Sequence, residues 1–363
     1  MSEDDERVHR VEPSLDAKNA TPTGAERNPG RTVRVIQEDL HHPETDGEEE
    51  EDEDEGEVES GDFLADYPDD TQELELIHSR LKSLANLRLP RFAAHLKKLC
   101  LRQNFIPQLE STIFHALTEL EELDLYDNKL KDVDDALDNL SKLTVLDLSF
   151  NLLRAIPDSL QHLVSLQTLY FVQNKISKIN GLDGIGGTLR SLELGGNRIR
   201  RIENLGALVN LEELWLGKNK ITRFENLGSL KRLKILSIQS NRITKIENLE
   251  ELENLEELYL SHNGVERLEG LDRNTKLRTL DVGANFVPQI ENISQLISLE
   301  ELWLNDNRIP NLGTLESQLR STTTLETIYL EGNPCQRNDQ ANYRRKVMLA
   351  LPQVKQIDAT YTK

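Results

Sequence analysis

Apolar residues recur from about residue 74 in a fixed order, L-x-x-L-x-L-x-x-N-x-[I/L], with one asparagine in each unit. Six successive asparagines, from Asn197 to Asn307, are separated by 22 residues, and the three intervals from Asn128 to Asn197 are 23 residues long. A degenerate copy, LELIHSRL, precedes the first asparagine and carries Ser79 at that position, so the chain holds twelve units. The asparagines are Asn104, Asn128, Asn151, Asn174, Asn197, Asn219, Asn241, Asn263, Asn285, Asn307 and Asn333.

The unit LEELWLGKN, residues 211–219, shows what this pattern predicts for each copy. Side chains alternate between two faces along a strand, so Leu214 and Leu216 point inward while Trp215 points outward. The chain then turns at Asn219, whose amide can bond to backbone groups inside the turn, and stacked asparagines form a ladder. Apolar residues at spacings near three follow, which favours a 3-10 or irregular return segment. One unit cannot bury its own apolar face, but a stack of units can.

A fixed period with this consensus is typical of leucine-rich repeats. The predicted fold is an α/β leucine-rich-repeat solenoid, with a curved parallel sheet on the concave face and short 3-10 or irregular segments on the convex face. Residues 1–70 are predicted to be a disordered acidic tail, 71–333 about twelve repeats of 22–23 residues, and 334–363 a C-terminal cap. An apolar set in the cap closes the last repeat: Val347, Leu351, Val354 and Ile357.

The outward position between the two inward strand residues is rich in aromatic and acidic side chains. Both tryptophans of the chain and three of its seven tyrosines fall in this column, which runs Cys100, Asp124, Asp147, Tyr170, Glu193, Trp215, Ser237, Tyr259, Asp281, Trp303 and Tyr329. Neighbouring outward columns add Tyr126, Phe150 and Glu301. An exposed aromatic surface mixed with charge indicates a protein-binding site. The alternative is cross-strand stacking that only stiffens the sheet.

Charge is distributed unevenly along the chain. Residues 1–70 hold 25 acids and 6 bases, including the acidic run EEEEDEDE at 48–55, whereas 71–363 hold 39 acids and 37 bases. Such an acidic segment favours disorder, and the nearly neutral remainder lacks the basic excess of a nucleic-acid binder. The N-terminal sequence has no apolar leader, and no apolar run is long enough to span a membrane.

Sequence signatures of catalysis are missing. The chain contains no G-x-x-x-x-G-K-[ST], G-x-S-x-G or H-E-x-x-H motif, its eight histidines are scattered, and its two cysteines do not form a C-x-x-C pair. An open sheet offers carboxylates no dry pocket that would tune them for catalysis. We therefore expect a non-enzyme with no cofactor and no metal site.

Several stretches resemble the leucine-rich-repeat regulatory subunits of protein phosphatase 1, of the regulatory subunit 7 type. They are LCLRQN at 99–104, ELDLYDNK at 122–129, SNRITKIE at 240–247, ELYLSHNG at 257–264 and YRRKVMLALPQVKQIDAT at 343–360, together with IENL at 202–205 and 246–249. The likeness covers about 75–361. It is specific because a generic repeat consensus does not dictate YRRKVMLALP.

This resemblance implies a non-catalytic partner of the phosphatase catalytic subunit, in nucleus and cytoplasm, acting in phosphatase maturation and mitotic dephosphorylation. It leaves room for a further phosphatase inhibitor in a ternary complex. In that family the concave face binds the catalytic subunit through acidic and aromatic residues. The matching positions here are Asp147, Tyr170, Glu193, Trp215, Asp281, Glu301, Trp303 and Tyr329.

Two other interpretations remain open from the sequence. A concave repeat face does not by itself name its partner, so the chain is alternatively an adaptor for another folded protein. A spliceosomal scaffold of the leucine-rich-repeat type is one such case.

Overall fold

The repeat units stack their strands side by side into one sheet. The computed structural model describes residues 64–362 and the backbone of 32–35. Fifteen strands follow one another in chain order; every neighbouring pair is parallel except β14 and β15, which are antiparallel. The strands are β1 Thr32–Val35, β2 Glu73–Leu76, β3 Lys98–Cys100, β4 Glu122–Asp124, β5 Val145–Asp147, β6 Thr168–Tyr170, β7 Ser191–Glu193, β8 Glu213–Trp215, β9 Ile235–Ser237, β10 Glu257–Tyr259, β11 Thr279–Asp281, β12 Glu301–Trp303, β13 Thr327–Tyr329, β14 Gln356–Ile357 and β15 Thr360–Tyr361.

Each repeat strand buries its middle leucine or isoleucine and turns its two flanking side chains outward. In β8, Leu214 is buried while Trp215 is half-buried, and Leu216, directly after the strand, is buried again. Registered pairing places the middle residues of adjacent strands opposite one another, as with Leu214 and Leu236. The predicted parallel-sheet solenoid and its inward and outward alternation are confirmed. Because the return segments are bulkier than the strand spacing, the sheet forms the inner, concave side.

The predicted asparagine ladder joins each repeat to the one before it. The Asn285 amide donates to the carbonyls of Leu260, Val282 and Gly283 at 2.9–3.2 Å, and its Oδ1 accepts from the Val265 N–H at 2.9 Å. Asn241 makes the same kinds of bond, although it is only half-buried. Buried backbone groups in the turns thereby gain partners, which stabilises the stack.

A second set of asparagines bonds successive repeats on the convex side. Asn204, Asn226, Asn248 and Asn292 each donate to a carbonyl of the preceding repeat at 2.7–2.9 Å, and each has φ between 54° and 58°. Asparagine tolerates this left-handed conformation better than most residues. In other repeats Gly181 and Gly270 take the equivalent place, with φ of 72° and 71°.

Short helices and irregular turns form the convex side, as predicted. Ile221, Phe224, Leu227 and Leu230, which return the chain after β8, are all buried. The 3-10 segments are Ala85–Leu87, Leu89–Phe92, Asp158–His162 and Asp183–Ile185. The α-helices are α1 Ser111–Phe114, α2 Leu315–Leu319, α3 Pro334–Arg337 and α4 Gln340–Ala350.

Both ends of the described solenoid are covered. At the C-terminus, the predicted apolar set of Val347, Leu351, Val354 and Ile357 is buried. At the N-terminus, the folded chain begins before the boundary predicted at residue 70. Leu64 is buried, and Arg91 donates to its carbonyl and to that of Tyr67. The rest of the predicted disordered tail lies outside the described residues, apart from β1, which pairs with β2.

Candidate functional site: the concave row

The third residues of successive strands form one continuous line across the concave face, which we call the concave row. Backbone register sets each member beside the next, from Asp147 against Tyr170 to Trp303 against Tyr329. The row contains seven of the eight residues predicted from sequence, and Glu301 lies beside it at the first position of β12. Its members are Asp147, Tyr170, Glu193, Trp215, Ser237, Tyr259, Asp281, Trp303 and Tyr329.

Aromatic rings of the row pair with one another on the sheet surface. The Trp215 and Tyr259 rings stack at a centroid distance of 6.3 Å across the strand that carries Ser237, which is 3% exposed. Trp303 and Tyr329 meet edge to face at 5.6 Å. These four rings are half-buried and lie outside the leucine core. The row therefore presents two aromatic patches to solvent rather than filling the interior.

Polar neighbours fix the orientation of three of these four rings. The Trp303 indole N–H donates to Glu301 at 3.1 Å, and the Tyr259 hydroxyl donates to Glu257 at 2.6 Å. Gln356 of the cap donates to the Tyr329 hydroxyl at 2.8 Å. Sequence reasoning missed the part played by Glu257 and Gln356. The contact of Glu257 with Tyr259 could have been predicted, because residues two positions apart on a strand lie on the same face.

Two aspartates of the row are held by backbone donors just after their strands. Asp147 accepts from the Ser149 N–H at 2.8 Å, and Asp281 accepts from the Gly283 N–H at 2.9 Å. Burial raises the pKa of both carboxyl groups, and these hydrogen bonds oppose the rise. The predicted solvent exposure of this column is wrong for Asp281. Only 2% of this residue is accessible, because it lies between the strands that carry Tyr259 and Trp303.

The acids of the row lack ion pairs within the described chain. Burial, followed by the charges of Asp147 and Glu213, raises the pKa of Glu193. Within residues 64–362, none of Asp147, Glu193 and Asp281 forms an ion pair with Lys or Arg. Acids on the flank of the sheet are paired instead, as Glu212 is with Arg190 and Lys234 at 2.7 Å. The row is thus a negative surface whose counter-charges are left for a partner to supply.

A third aromatic patch lies nearer the N-terminus on the same face. The Tyr126 and Phe150 rings are 4.7 Å apart, and the Arg102 guanidinium lies 4.0 Å over the Tyr126 ring. Arg102 also pairs with Asp124 at 2.9 Å. Phe150 is 41% exposed and has φ of 54°, an unfavourable conformation for a bulky residue.

Two features of the described residues bear on chemical reactivity, the grouping of potential metal ligands and the state of the Cys100 thiol. No group of three or more His, Cys, Asp or Glu residues within 64–362 is arranged to hold a metal ion. Burial raises the pKa of the Cys100 thiol to about 11, so it is not an activated nucleophile at neutral pH. In the same range, no helix combines the length and the apolar character needed to cross a bilayer.

Comparison with sequence families identifies the repeats. Residues 186–282 match one leucine-rich-repeat family, and residues 94–153 and 134–176 match a second. Solved structures with the same fold include a leucine-rich-repeat protein of Leptospira interrogans, with 25% identity and a TM-score of 0.63, covering 80% of this chain and 84% of the other. An internalin of Listeria monocytogenes gives 24% identity and a TM-score of 0.62, covering 80% and 87%. The similarity to the internalin shows a common fold only.

Several proteins similar in sequence to this chain are named as regulatory subunits of protein phosphatase 1. Protein phosphatase 1 regulatory subunit SDS22 of Saccharomyces cerevisiae is 46% identical over 82 residues, 23% of this chain and 24% of its own. An Arabidopsis thaliana protein phosphatase 1 regulatory inhibitor subunit, a PPP1R7 homolog, is 40% identical over 152 residues, 40% and 44%. Mouse protein phosphatase 1 regulatory subunit 7 is 61% identical over 46 residues, 13% and 12%. The chain matches less than half the length of each, and the resemblance noted in the sequence is confirmed.

Proposed function

Because this chain is a leucine-rich-repeat solenoid similar in sequence to regulatory subunits of protein phosphatase 1, we propose that it is a non-catalytic subunit of that kind. It binds the phosphatase catalytic subunit through the concave row and controls its maturation, activity or targeting, including mitotic dephosphorylation. Catalysis resides in the partner. The resemblance supports action in both nucleus and cytoplasm, and a further phosphatase inhibitor would join as a third component.

The observation that carries this proposal is the mixture of aromatic rings and acids without ion pairs along the concave row. Aromatic anchors flanked by charge dominate the energetics of protein interfaces. Because Asp147, Glu193 and Asp281 form no ion pair with Lys or Arg among residues 64–362, the row favours a basic surface on its partner. The rings of Tyr259, Trp303 and Tyr329 are already held by hydrogen bonds, so binding orders few side chains there and loses little conformational entropy.

The size of the row fits a folded partner better than a short peptide. It crosses nine strands, β5 to β13, which at about 4.8 Å per strand gives an arc of roughly 40 Å. A compact domain of about 300 residues has a diameter near 50 Å. One face of such a domain can therefore touch all the anchors at once.

Direct titration of the purified full chain with the phosphatase catalytic subunit tests the proposal. We expect a one-to-one complex whose affinity falls as salt is raised, because an acidic row facing a basic surface is screened by ions. Capture from cell extract runs alongside. Failure to bind the phosphatase, together with recovery of a splicing factor or another folded protein, would favour the adaptor alternative.

A further inference from the structure

A second charged surface lies on the rim where the strands turn into the convex side, in four consecutive repeats. We call it the basic rim and define it as Lys175, Arg198, Arg200, Lys218, Lys220 and Arg242. The four turns that carry it, residues 172–177, 195–200, 217–222 and 239–244, contain no Asp or Glu. Its charge has the opposite sign to that of the neighbouring concave row.

The charges of the basic rim are not neutralised by the described part of the chain. None of its six side chains forms an ion pair or a side-chain hydrogen bond within residues 64–362. The next basic column along the convex side differs, since Arg201 and Arg223 both pair with Glu225 at 3.0–3.1 Å. The rim therefore keeps a positive potential that attracts an anionic segment.

The rim turns are stacked in direct backbone contact. The Gln173 N–H donates to the carbonyl of Gly195 at 2.8 Å, and the Lys218 N–H donates to that of Gln239 at 2.8 Å. Four such turns at about 4.8 Å spacing form a strip roughly 15 Å long. An eight-residue run reaches at most about 28 Å. A short acidic run is thus long enough to lie along the whole strip.

We propose that the acidic run at residues 48–55 of this same chain, EEEEDEDE, docks on the basic rim. Eight consecutive acids face six bases, which makes the two segments complementary in charge. The proposal concerns a surface separate from the concave row and does not rest on the phosphatase partner.

The position of the run in the chain makes this contact reachable. It lies near the middle of residues 36–63, and both ends of that segment start from the N-terminal end of the solenoid, at β1 beside β2 and at the buried Leu64. Position 55 is nine Cα-to-Cα steps from Leu64, which span up to about 30 Å, and position 48 is thirteen steps from position 35, which span up to about 45 Å. The rim begins only a few repeats away, so the covalent link raises the effective concentration of the run there.

Zero-length carbodiimide cross-linking of the full chain, read by mass spectrometry, tests the proposal. We expect Lys175, Lys218 and Lys220 to link to the peptide that holds residues 48–55. The yield should fall severalfold between about 50 mM and about 500 mM salt, because exposed charges are screened. Mixing isotopically light and heavy protein separates links within one chain from links between chains.

Matched charge-reversal variants complete the test. Replacing the rim arginines, Arg198→Glu, Arg200→Glu and Arg242→Glu, keeps all three reactive lysines and should reduce their links to the run at least fivefold. The control variant, Arg232→Glu, Arg273→Glu and Arg345→Glu, changes the net charge equally at exposed positions elsewhere and should leave the links unchanged. The proposal would be overturned if no links form, if links form only between chains, or if the run links evenly to other lysines such as Lys276 and Lys346. An equal loss of links in both variants would also overturn it.

Discussion

Replacing Trp303 with alanine is expected to weaken binding of the phosphatase catalytic subunit about thirtyfold or more while the solenoid stays folded. Tryptophans at interface centres commonly cost about 2 kcal/mol or more on truncation, which corresponds to that change in affinity. The Trp303 ring packs on Tyr329 and bonds to Glu301 outside the leucine core, so its loss leaves no core cavity. Titration with the catalytic subunit and the circular dichroism spectrum of the variant measure the two effects.

Controls for Trp303→Ala come from the other faces of the same solenoid. Phe286 is 43% exposed and packs under Arg308 at 4.2 Å on the rim, so Phe286→Ala removes a comparable aromatic group away from the row. Glu247→Ala removes a convex-side acid paired with Lys245. Both variants should bind normally. Wild-type affinity in a folded Trp303→Ala protein would rule out the row as the binding site.

Replacing Glu193 with glutamine is expected to weaken binding at least tenfold and yet to raise the melting temperature of the free chain. Truncating one partner of a buried interfacial charge pair costs about 2–5 kcal/mol, and glutamine keeps the shape while removing the charge. In the free chain, burial raises the pKa of Glu193, so its ionised form destabilises the folded state. Replacing a destabilising residue in a functional site often stabilises the protein and reduces its function.

The pH dependence of this gain has a definite sign. Since the folded-state pKa lies above the unfolded value near 4.3, the folded chain binds the Glu193 proton more tightly than the unfolded chain. The stability advantage of Glu193→Gln over wild type is therefore full above the folded pKa, shrinks as the pH falls through the folded pKa, and is lost below the unfolded value. Thermal unfolding between about pH 7 and pH 4 measures this.

A paired acid provides the opposite control. Hydrogen bonds from Lys234 and Arg190 lower the pKa of Glu212, so Glu212→Gln should lower the melting temperature at neutral pH and leave binding unchanged. A lower melting temperature for Glu193→Gln, or unaltered phosphatase affinity, would contradict the view that Glu193 is held ready for a cationic partner.

Much of this architecture follows from the period of the sequence. The regular spacing, 22 or 23 residues from Asn128 to Asn307, places each of these asparagines at the same turn, and alternation then decides that Trp215 faces outward and Leu214 inward. The concave row was predictable for the same reason, because backbone register aligns equivalent residues of stacked repeats.

The burial of some outward side chains could not be predicted, because it depends on the size of the side chains on adjacent strands. Asp281 and Ser237 occupy outward positions but are buried, because adjacent strands carry the large side chains Tyr259, Trp303 and Trp215. The burial of Leu64 was hidden by the acidic residues around it. Composition averages over a window and cannot show that one apolar side chain in it reaches the core.

Fluorine NMR of the full chain labelled with 5-fluorotryptophan tests the central claim most directly. The chain has only two tryptophans, and both lie in the concave row, so the spectrum reports on that row and on no other surface. Addition of unlabelled phosphatase catalytic subunit is predicted to shift or broaden both resonances in a saturable one-to-one manner, with Trp215→Phe assigning each signal. A complex that forms with both resonances unshifted and no broader than its added mass requires would contradict binding through the concave row.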